Sequence, residues 1–308
     1  MNRPMDVPKE FPVRKSKKQK QQFRDAVQSY ADTLGYTCTI EKGSLGVRNI
    51  VIGDPNRADY LVTAHYDTCA RLPFPNLITP CSFWLFMGWQ LLLTIILLIP
   101  MFFIGVIIGI FAEDPGLGVA IGYIVLLTEL GLMLFGPANR HNANDNTSGV
   151  VGVLEIAASI PQELRNHVCF VLFDLEEGGL LGSASYRSKH KKATNNQLVI
   201  NLDCVGDGDE ILLFPTKKLK KQRERMEKLE SKCTGDGRKS IRLRDKGFSI
   251  YPSDQANFPV GLGVAAFCRS KWAGLYLDKI HTGKDKNLDE KNIVMLRDTI
   301  ISIIRSHV

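Results

Sequence analysis

The chain has 308 residues, 44% of them apolar and 23% charged, which is the composition of a folded protein and excludes low-complexity and repeat architectures. The net charge of +7 is local, concentrated in "RKSKKQKQQFR" (14–24) and "KKLKKQRERMEK" (217–228). Such runs are solvated helix faces or surfaces for anionic lipid headgroups. No nucleic-acid partner is expected, because no helix-turn-helix, zinc finger or aromatic single-strand platform accompanies them. The seven cysteines are scattered without a Cys-x-x-Cys pair, which argues against a disulfide framework and a thiolate zinc site and fits a reducing compartment.

In chain order, the opening "MNRPMDVPKEFPVRKSKK" lacks the apolar core of a signal peptide. The spacing of Phe23, Val27, Tyr30, Ala31 and Leu34 predicts an amphipathic helix over 18–34. Strands follow at 37–41, 48–53 and 59–65. The last lies in "LVTAHYDT" (61–68), an apolar run that stops at His65, Tyr66 and Asp67. Two readings compete there: a satisfied histidine at a strand end, or a metal ligand whose spare ring N–H is taken by Asp67.

Residues 83–111, "FWLFMGWQLLLTIILLIPMFFIGVIIGIF", carry no charge, and 117–136, "LGVAIGYIVLLTELGLMLFG", carry only Glu129. A bilayer-spanning helix needs ~20 apolar residues, so the pair predicts a transmembrane hairpin closed by "AEDPG". Gly105 with Gly109, and Gly118 with Gly122, have the small-x-x-x-small spacing that lets two backbones approach. Pro100 is expected to kink the first helix. Glu129 is expected to be protonated, or bonded to Gln90 or Thr94. The connecting turn has Glu113 and Asp114 but no cation, whereas Arg71, Arg140 and the basic N-terminal region lie at the other end. Positive-inside asymmetry then gives an integral membrane protein of the lipid bilayer with its soluble parts in the cytoplasm.

The hairpin at 71–138 divides the soluble domain into 1–70 and 139–308. The second part predicts a helix at 147–159, a strand at 167–174, a helix at 180–190 and a strand at 197–203. Further strands follow at 210–214, 240–243, 264–268 and 275–277, with a last helix over 289–306. The fold class is α/β, a mixed sheet sandwiched between helices and interrupted by the hairpin.

Polar groups collect where the apolar runs stop. "NANDNTSGV" (142–150) holds Asp145, "VLFDLEEGGLLGS" (171–183) holds Glu176 and Glu177, "LVINLDCVGDG" (198–208) holds Asp203, and "DKIHTGKD" (278–285) holds His281. Each alone is an ordinary capping or surface residue. Together with His65 they suggest ligands converging on one rim of an open α/β sheet. Two divalent ions ~3.5–4 Å apart need one shared ligand and others on each, and His65, Asp145, Glu177, Asp203 and His281 supply that set. Nitrogen and oxygen donors suit zinc, with cobalt or manganese permitted. Glu176 is left over and can face the water as general acid/base.

At these residues the chain resembles the di-zinc aminopeptidases of metallopeptidase family twenty-eight, which includes leucyl aminopeptidases, glutamate carboxypeptidases and glutaminyl cyclases. The resemblance runs through "RNIVIG", "AHYDT", "NANDNTSGV", "FDLEEGGLLGS", "NLDCVGDG", "SDQANF" and "IHTGKD" in order. It implies a zinc exopeptidase fold with two zinc ions bridged by Asp145. One would be completed by His65 and Asp203 and the other by Glu177 and His281, with Glu176 as acid/base and Asp67 as partner of His65. Two features depart from the family: the hairpin where a short loop is usual, and Gln255 where a histidine is common. Asp254, next to Gln255, either orients a ligand on the substrate side or caps a turn.

The implied activity is zinc-dependent hydrolysis of a peptide substrate by an aminopeptidase, with attack by a metal-bridging hydroxide. Cyclisation of N-terminal glutamine and an inactive membrane scaffold are the alternatives. The linkers "CARLPFPNLITP" and "PANRHN" are short, so the mouth is expected near the membrane surface. Substrates would then be apolar or membrane-associated peptides, unless the hairpin is an anchor only.

Overall fold

Tyr60–His65, Val168–Phe173 and Leu198–Leu202 are buried at every position because they are inner strands of a sheet covered on both faces. The computed structural model describes residues 1–306. Its strands are β1 (Cys38–Lys42), β2 (Arg48–Ile52), β3 (Tyr60–His65), β4 (Val168–Phe173), β5 (Leu198–Leu202), β6 (Glu210–Pro215), β7 (Ser240–Leu243), β8 (Gly261–Ser270) and β9 (Gly274–Tyr276). The helices are α1 (Val7–Glu10), α2 (Lys17–Thr33), α3 (Phe83–Phe111), α4 (Pro115–Phe135), α5 (Gly149–Ser159), α6 (Leu181–Lys189), α7 (Lys217–Lys220), α8 (Arg223–Ser231) and α9 (Glu290–Arg305).

The strands form one mixed sheet in the order β1-β2-β4-β3-β5-β8-β6-β7, with β9 paired to β8. The central β4, β3, β5 and β8 are mutually parallel. Alternation sorts their side chains between the faces. Tyr60, Val62, Ala64, Phe170 and Leu172 join α2, α5 and α9 in the main core. Leu61, Cys169, Val171 and Phe173 pack instead with Tyr186 of α6 and Phe258. At Gly149 a Cβ would collide with the Leu202 carbonyl, so only glycine lets α5 start against the end of β5.

α3 and α4 are each long and apolar enough to cross a membrane, and their most apolar windows are only 6% and 11% buried. They are therefore not core helices of the α/β domain. α4 starts at Pro115, earlier than its apolar run, because Asp114 Oδ1 accepts from the Gly116 and Leu117 N–H groups at 2.9 and 3.1 Å. Helix α3 continues through Pro100 as one element. A Cβ on Gly105 would stand 2.8 Å from the Gly118 carbonyl oxygen, and one on Gly122 2.9 Å from that of Met101. The glycine spacing thus does bring the backbones together. Of the two alternatives for Glu129, the bond across the hairpin is not formed among the described residues: its Oε2 is buried without a partner there, and the Thr94 hydroxyl donates to the Gln90 carbonyl of its own helix.

The basic run at 217–228 forms α7 and α8 with only Leu219 and Leu229 buried, a solvated face as expected. The run at 14–24 differs, because Arg14 and Lys20 are buried at 0% and 7% exposure.

Candidate metal centre

The parallel strands end on one rim. His65 closes β3, Leu175 to Glu177 follow β4, and Asp203 and Cys204 follow β5. Asp145 comes from the turn Ala143–Ser148 that precedes α5, and His281 from the loop after β9. Leu175, Cys204 and His281 take left-handed φ values of 55°, 56° and 61°, each beside or at a polar site residue. Such backbone costs on the order of 1–3 kcal/mol per residue and persists where its surroundings over-determine it.

Asp145 stands between the two imidazoles. Its Oδ1 lies 3.3 Å from His65 Nε2 and its Oδ2 lies 2.9 Å from His281 Nε2. His281 Nε2 is also 3.5 Å from Glu177 Oε2. His65 Nε2 is 3.7 Å from Asp203 Oδ1 and 3.9 Å from Glu176 Oε2. The donor atoms of Asp145, Glu177 and His281 lie within 4.8 Å of one another, together with Cys69 Sγ. Those of His65, Glu176 and Asp203 form a second such group. All six side chains singled out as ligands or acid/base are therefore brought together. Cys69 is an addition that no Cys-x-x-Cys spacing signals.

The cluster is rich in negative charge. Burial opposes protonation of His65, but Glu176, Asp145, Asp203 and Asp67 outweigh it and hold the imidazole well above its ordinary pKa. His281 is likewise raised to about 9, against burial, by Glu177 and Asp145. Burial lifts Glu177 to about 7, and lifts Glu176 well above the carboxylate range despite His65. Asp145 is held low, against burial, by His281 and His65. Protons on the imidazoles thus do what a cation would do. Glu177 Oε1 and His65 Nδ1 are buried without hydrogen-bond partners, which leaves unmet donor and acceptor capacity at the centre. Nitrogen and carboxylate donors in this density fit zinc.

The supporting shell includes Asp67. Its Oδ1 is 3.5 Å from His65 Nδ1, an ion-pair contact through which each group favours the charged form of the other. Asp67 also accepts from the backbone N–H groups of Glu176 and Glu177, at 3.0 and 3.3 Å. It therefore holds the glutamate turn as well as facing His65. Asp285, at the end of "IHTGKD", accepts from the N–H of Asn144 and Asp145 at 2.7 and 3.0 Å and so fixes the Asp145 turn. Burial and the nearby Asp145 raise its carboxyl to about 8.

Arg14 reaches under the site. Its guanidinium donates to the carbonyls of Tyr66 (2.6 Å) and Phe11 (2.7 Å) and to Thr147 Oγ1 (3.0 Å). Among the described residues it forms no salt bridge, and the carboxylates that act on it are Asp67 and then Asp145. Lys20 pairs with the buried Asp174 at 2.5 Å. Basic residues that sequence patterning assigns to a solvated face therefore balance the acidic centre. The signal was invisible because nothing local distinguishes a buried arginine from its exposed neighbours.

The base of the hairpin is bonded to the same centre. Leu72 N–H donates to the His281 carbonyl at 2.8 Å, and Asn139 Nδ2 to that of Thr282 at 3.0 Å. Asn139 N–H donates to the Cys69 carbonyl at 3.0 Å, and Ala70 bridges Ala138.

Asp254 is fully buried, and Ser253, not Asp254, holds the cap position of the turn. Burial raises its carboxyl to about 7, with His65 acting in opposition. Gln255 donates to the Tyr251 carbonyl at 2.7 Å and accepts from Asn201 at 3.3 Å, so its amide serves packing.

Residues 131–303 match the profile described as Peptidase family M28. No curated protein sequence matches the chain. Among solved structures, the LapA aminopeptidase of Legionella pneumophila superposes with a TM-score of 0.58 at 13% identity, over 98% of this chain and 70% of its own. A zinc-dependent exopeptidase from Parabacteroides distasonis gives 0.58 at 17% identity, over 96% and 92%. The glutaminyl cyclase of Tannerella forsythia gives 0.55 at 17% identity, over 96% and 93%. At these identities the likeness is one of fold.

Proposed function

The chain belongs to peptidase family M28, a zinc-dependent peptidase family, and from that premise we propose that it is a membrane-anchored aminopeptidase. The observation that supports this most is the single cluster of His65, Asp145, Glu176, Glu177, Asp203 and His281 around a shared carboxylate. His65 and Asp203 would hold one zinc ion, Glu177 and His281 a second, and Asp145 both. Zinc, when bound there, polarises the scissile carbonyl and makes water a competent nucleophile.

Glu176 takes a proton from the attacking water and returns it to the leaving amine nitrogen. Burial, with Glu177 beside it, raises its carboxyl well above the ordinary range, which favours its holding that proton. Asp67 positions it through the Glu176 N–H. Asp254, a buried carboxyl near His65, offers the substrate's amino terminus an acceptor. Exposed apolar helices and a linker bonded to the His281 loop support anchoring with the mouth beside the bilayer. Segments 1–70 and 139–308 then form the catalytic domain, facing the cytoplasm, and apolar or membrane-associated peptides are its substrates.

Glu176→Gln tests the mechanism. Turnover of amino-acid amides should fall by ~10²–10⁴-fold with zinc retained, whereas Asp145→Asn should also lower the zinc content. Near-normal turnover by Glu176→Gln removes the mechanism. Cyclisation of N-terminal glutamine uses the same donor set, and a panel of amides against N-terminal glutamine peptides separates the two. Replacing residues 82–136 with a short polar loop should lower turnover of apolar peptides more than that of small amides. Equal effects would leave the hairpin as an anchor.

A further inference from the structure

Cys69 lies on the linker between Asp67 and the hairpin, 1% exposed. Its sulfur is within 4.8 Å of the donor atoms of Asp145, Glu177 and His281, all of which are within that distance of one another. Cys204 also lies within 4.8 Å of donor atoms of Asp145 and Asp203, but its thiol donates to Asp203 Oδ1 at 3.2 Å, and that of Cys169 to the Phe170 carbonyl at 3.9 Å. No hydrogen bond engages the Cys69 sulfur among the described residues, and Glu177, a neighbour in that group, has a buried Oε1 without a partner among them. The Cys69 backbone is pinned through its carbonyl by Asn139 N–H at 3.0 Å, so the thiol does not depend on a mobile loop for its place.

We propose that Cys69 is a sulfur ligand of the ion held by Asp145, Glu177 and His281. The proposal rests on the metal-centre reading above and deepens it. With Cys69 that half has four protein ligands, the number that closes a tetrahedral zinc site, while His65, Asp145 and Asp203 leave the other half open beside Glu176. The two ions then differ in role: one is a fixed template for Asp145 and the glutamate turn, the other keeps the position at which chemistry occurs. On binding, the thiol proton leaves to solvent and the thiolate joins the ion, as coordination of a cysteine requires. A thiolate also favours zinc and cobalt over manganese or magnesium at that half. A packing role, in which Cys69 only fills space as a small apolar side chain, is the alternative.

Cobalt-loaded protein in detergent decides between them by its absorption spectrum. Cobalt uptake is first measured by elemental analysis, and the near-ultraviolet sulfur-to-cobalt charge-transfer band is then recorded. The band is expected in the wild-type protein and in Cys204→Ala, and absent in Cys69→Ser and Cys69→Ala. The zinc-over-manganese affinity ratio should fall in both Cys69 variants. Cobalt uptake by the wild-type protein without the band, or a band that survives Cys69→Ser, overturns the proposal and leaves the metal centre intact. No cobalt uptake at all removes the metal-centre reading, and the proposal with it. Because the wild-type spectrum alone can refute, a variant that fails to fold does not shelter the idea.

Discussion

Asn139→Ala cuts the bond between the hairpin base and the metal centre at one buried atom. Asn139 is fully buried, and its Nδ2 donates to the carbonyls of His141 and Thr282 at 2.6 and 3.0 Å. The Thr282 carbonyl is enclosed, so losing its donor costs ~1–3 kcal/mol, and the bond to the more exposed His141 adds ~0.5–1.5 kcal/mol. A total of ~1.5–4.5 kcal/mol corresponds to a fall of roughly 3–18 °C in the unfolding midpoint for a domain of this size. Thr282 follows His281, whose left-handed backbone is otherwise held from the hairpin side by Leu72 N–H. Loosening this loop should weaken zinc by ~10–100-fold, as losses around ligating histidines do. Thermal unfolding of the detergent-solubilised protein and zinc competition with a chelator measure the two effects. Lys217→Ala, on the exposed helix α7, is the control and should move neither. An unchanged zinc affinity in Asn139→Ala would refute the coupling even if the midpoint fell.

Three further outcomes are expected. Metal-free protein should become less stable as pH rises: Glu177 and Asp254 at about 7 and Asp285 at about 8 keep protons, chiefly through burial, that the unfolded chain releases near 3.8 to 4.5. His281 adds to the same slope, because the stability of its proton is complete below 6.5 and is lost as pH climbs through about 9. Urea midpoints should therefore be higher at about pH 5 than at about pH 8.5, and saturating zinc should reverse the order; a rising metal-free midpoint refutes this. Gly118→Val places a Cβ 2.5 Å from the Gly105 carbonyl oxygen and 2.8 Å from Gly109 Cα, an overpacking of ~1–3 kcal/mol, whereas a Cβ on Gly131 meets nothing within 4 Å. The unfolding midpoint should thus fall in Gly118→Val and not in Gly131→Ala, and equal effects would refute the helix packing. Finally, a cysteine at Asp114 should react with an impermeant thiol reagent in intact cells while one at Lys217 stays protected, and the reverse pattern overturns the cytoplasmic orientation.

By itself the sequence determined the periodic parts. Runs such as "VCFVLF" and "LVINL" are apolar at every position, so they are legible as strands covered on both faces, and the polar residues that stop them mark the rim. The two long apolar stretches are legible as a helical pair, and the glycine spacing as its contact. Local apolarity alone places the start of α4 too late, because the cap is set by Asp114 and Pro115 and not by the run that follows. What only the tertiary structure decided are relations between segments far apart in the chain. Asp67 reaches the N–H groups of Glu176 and Glu177, Asp285 reaches those of Asn144 and Asp145, and Leu72 reaches His281. Arg14 and Lys20 are buried for the same reason, since their opposite charges arrive from the segments that follow β3 and β4. A side chain's period reports which face of its own element it occupies; which charge, carbonyl or thiol waits on that face depends on how the parallel strands are ordered, and that order is a property of the folded sheet.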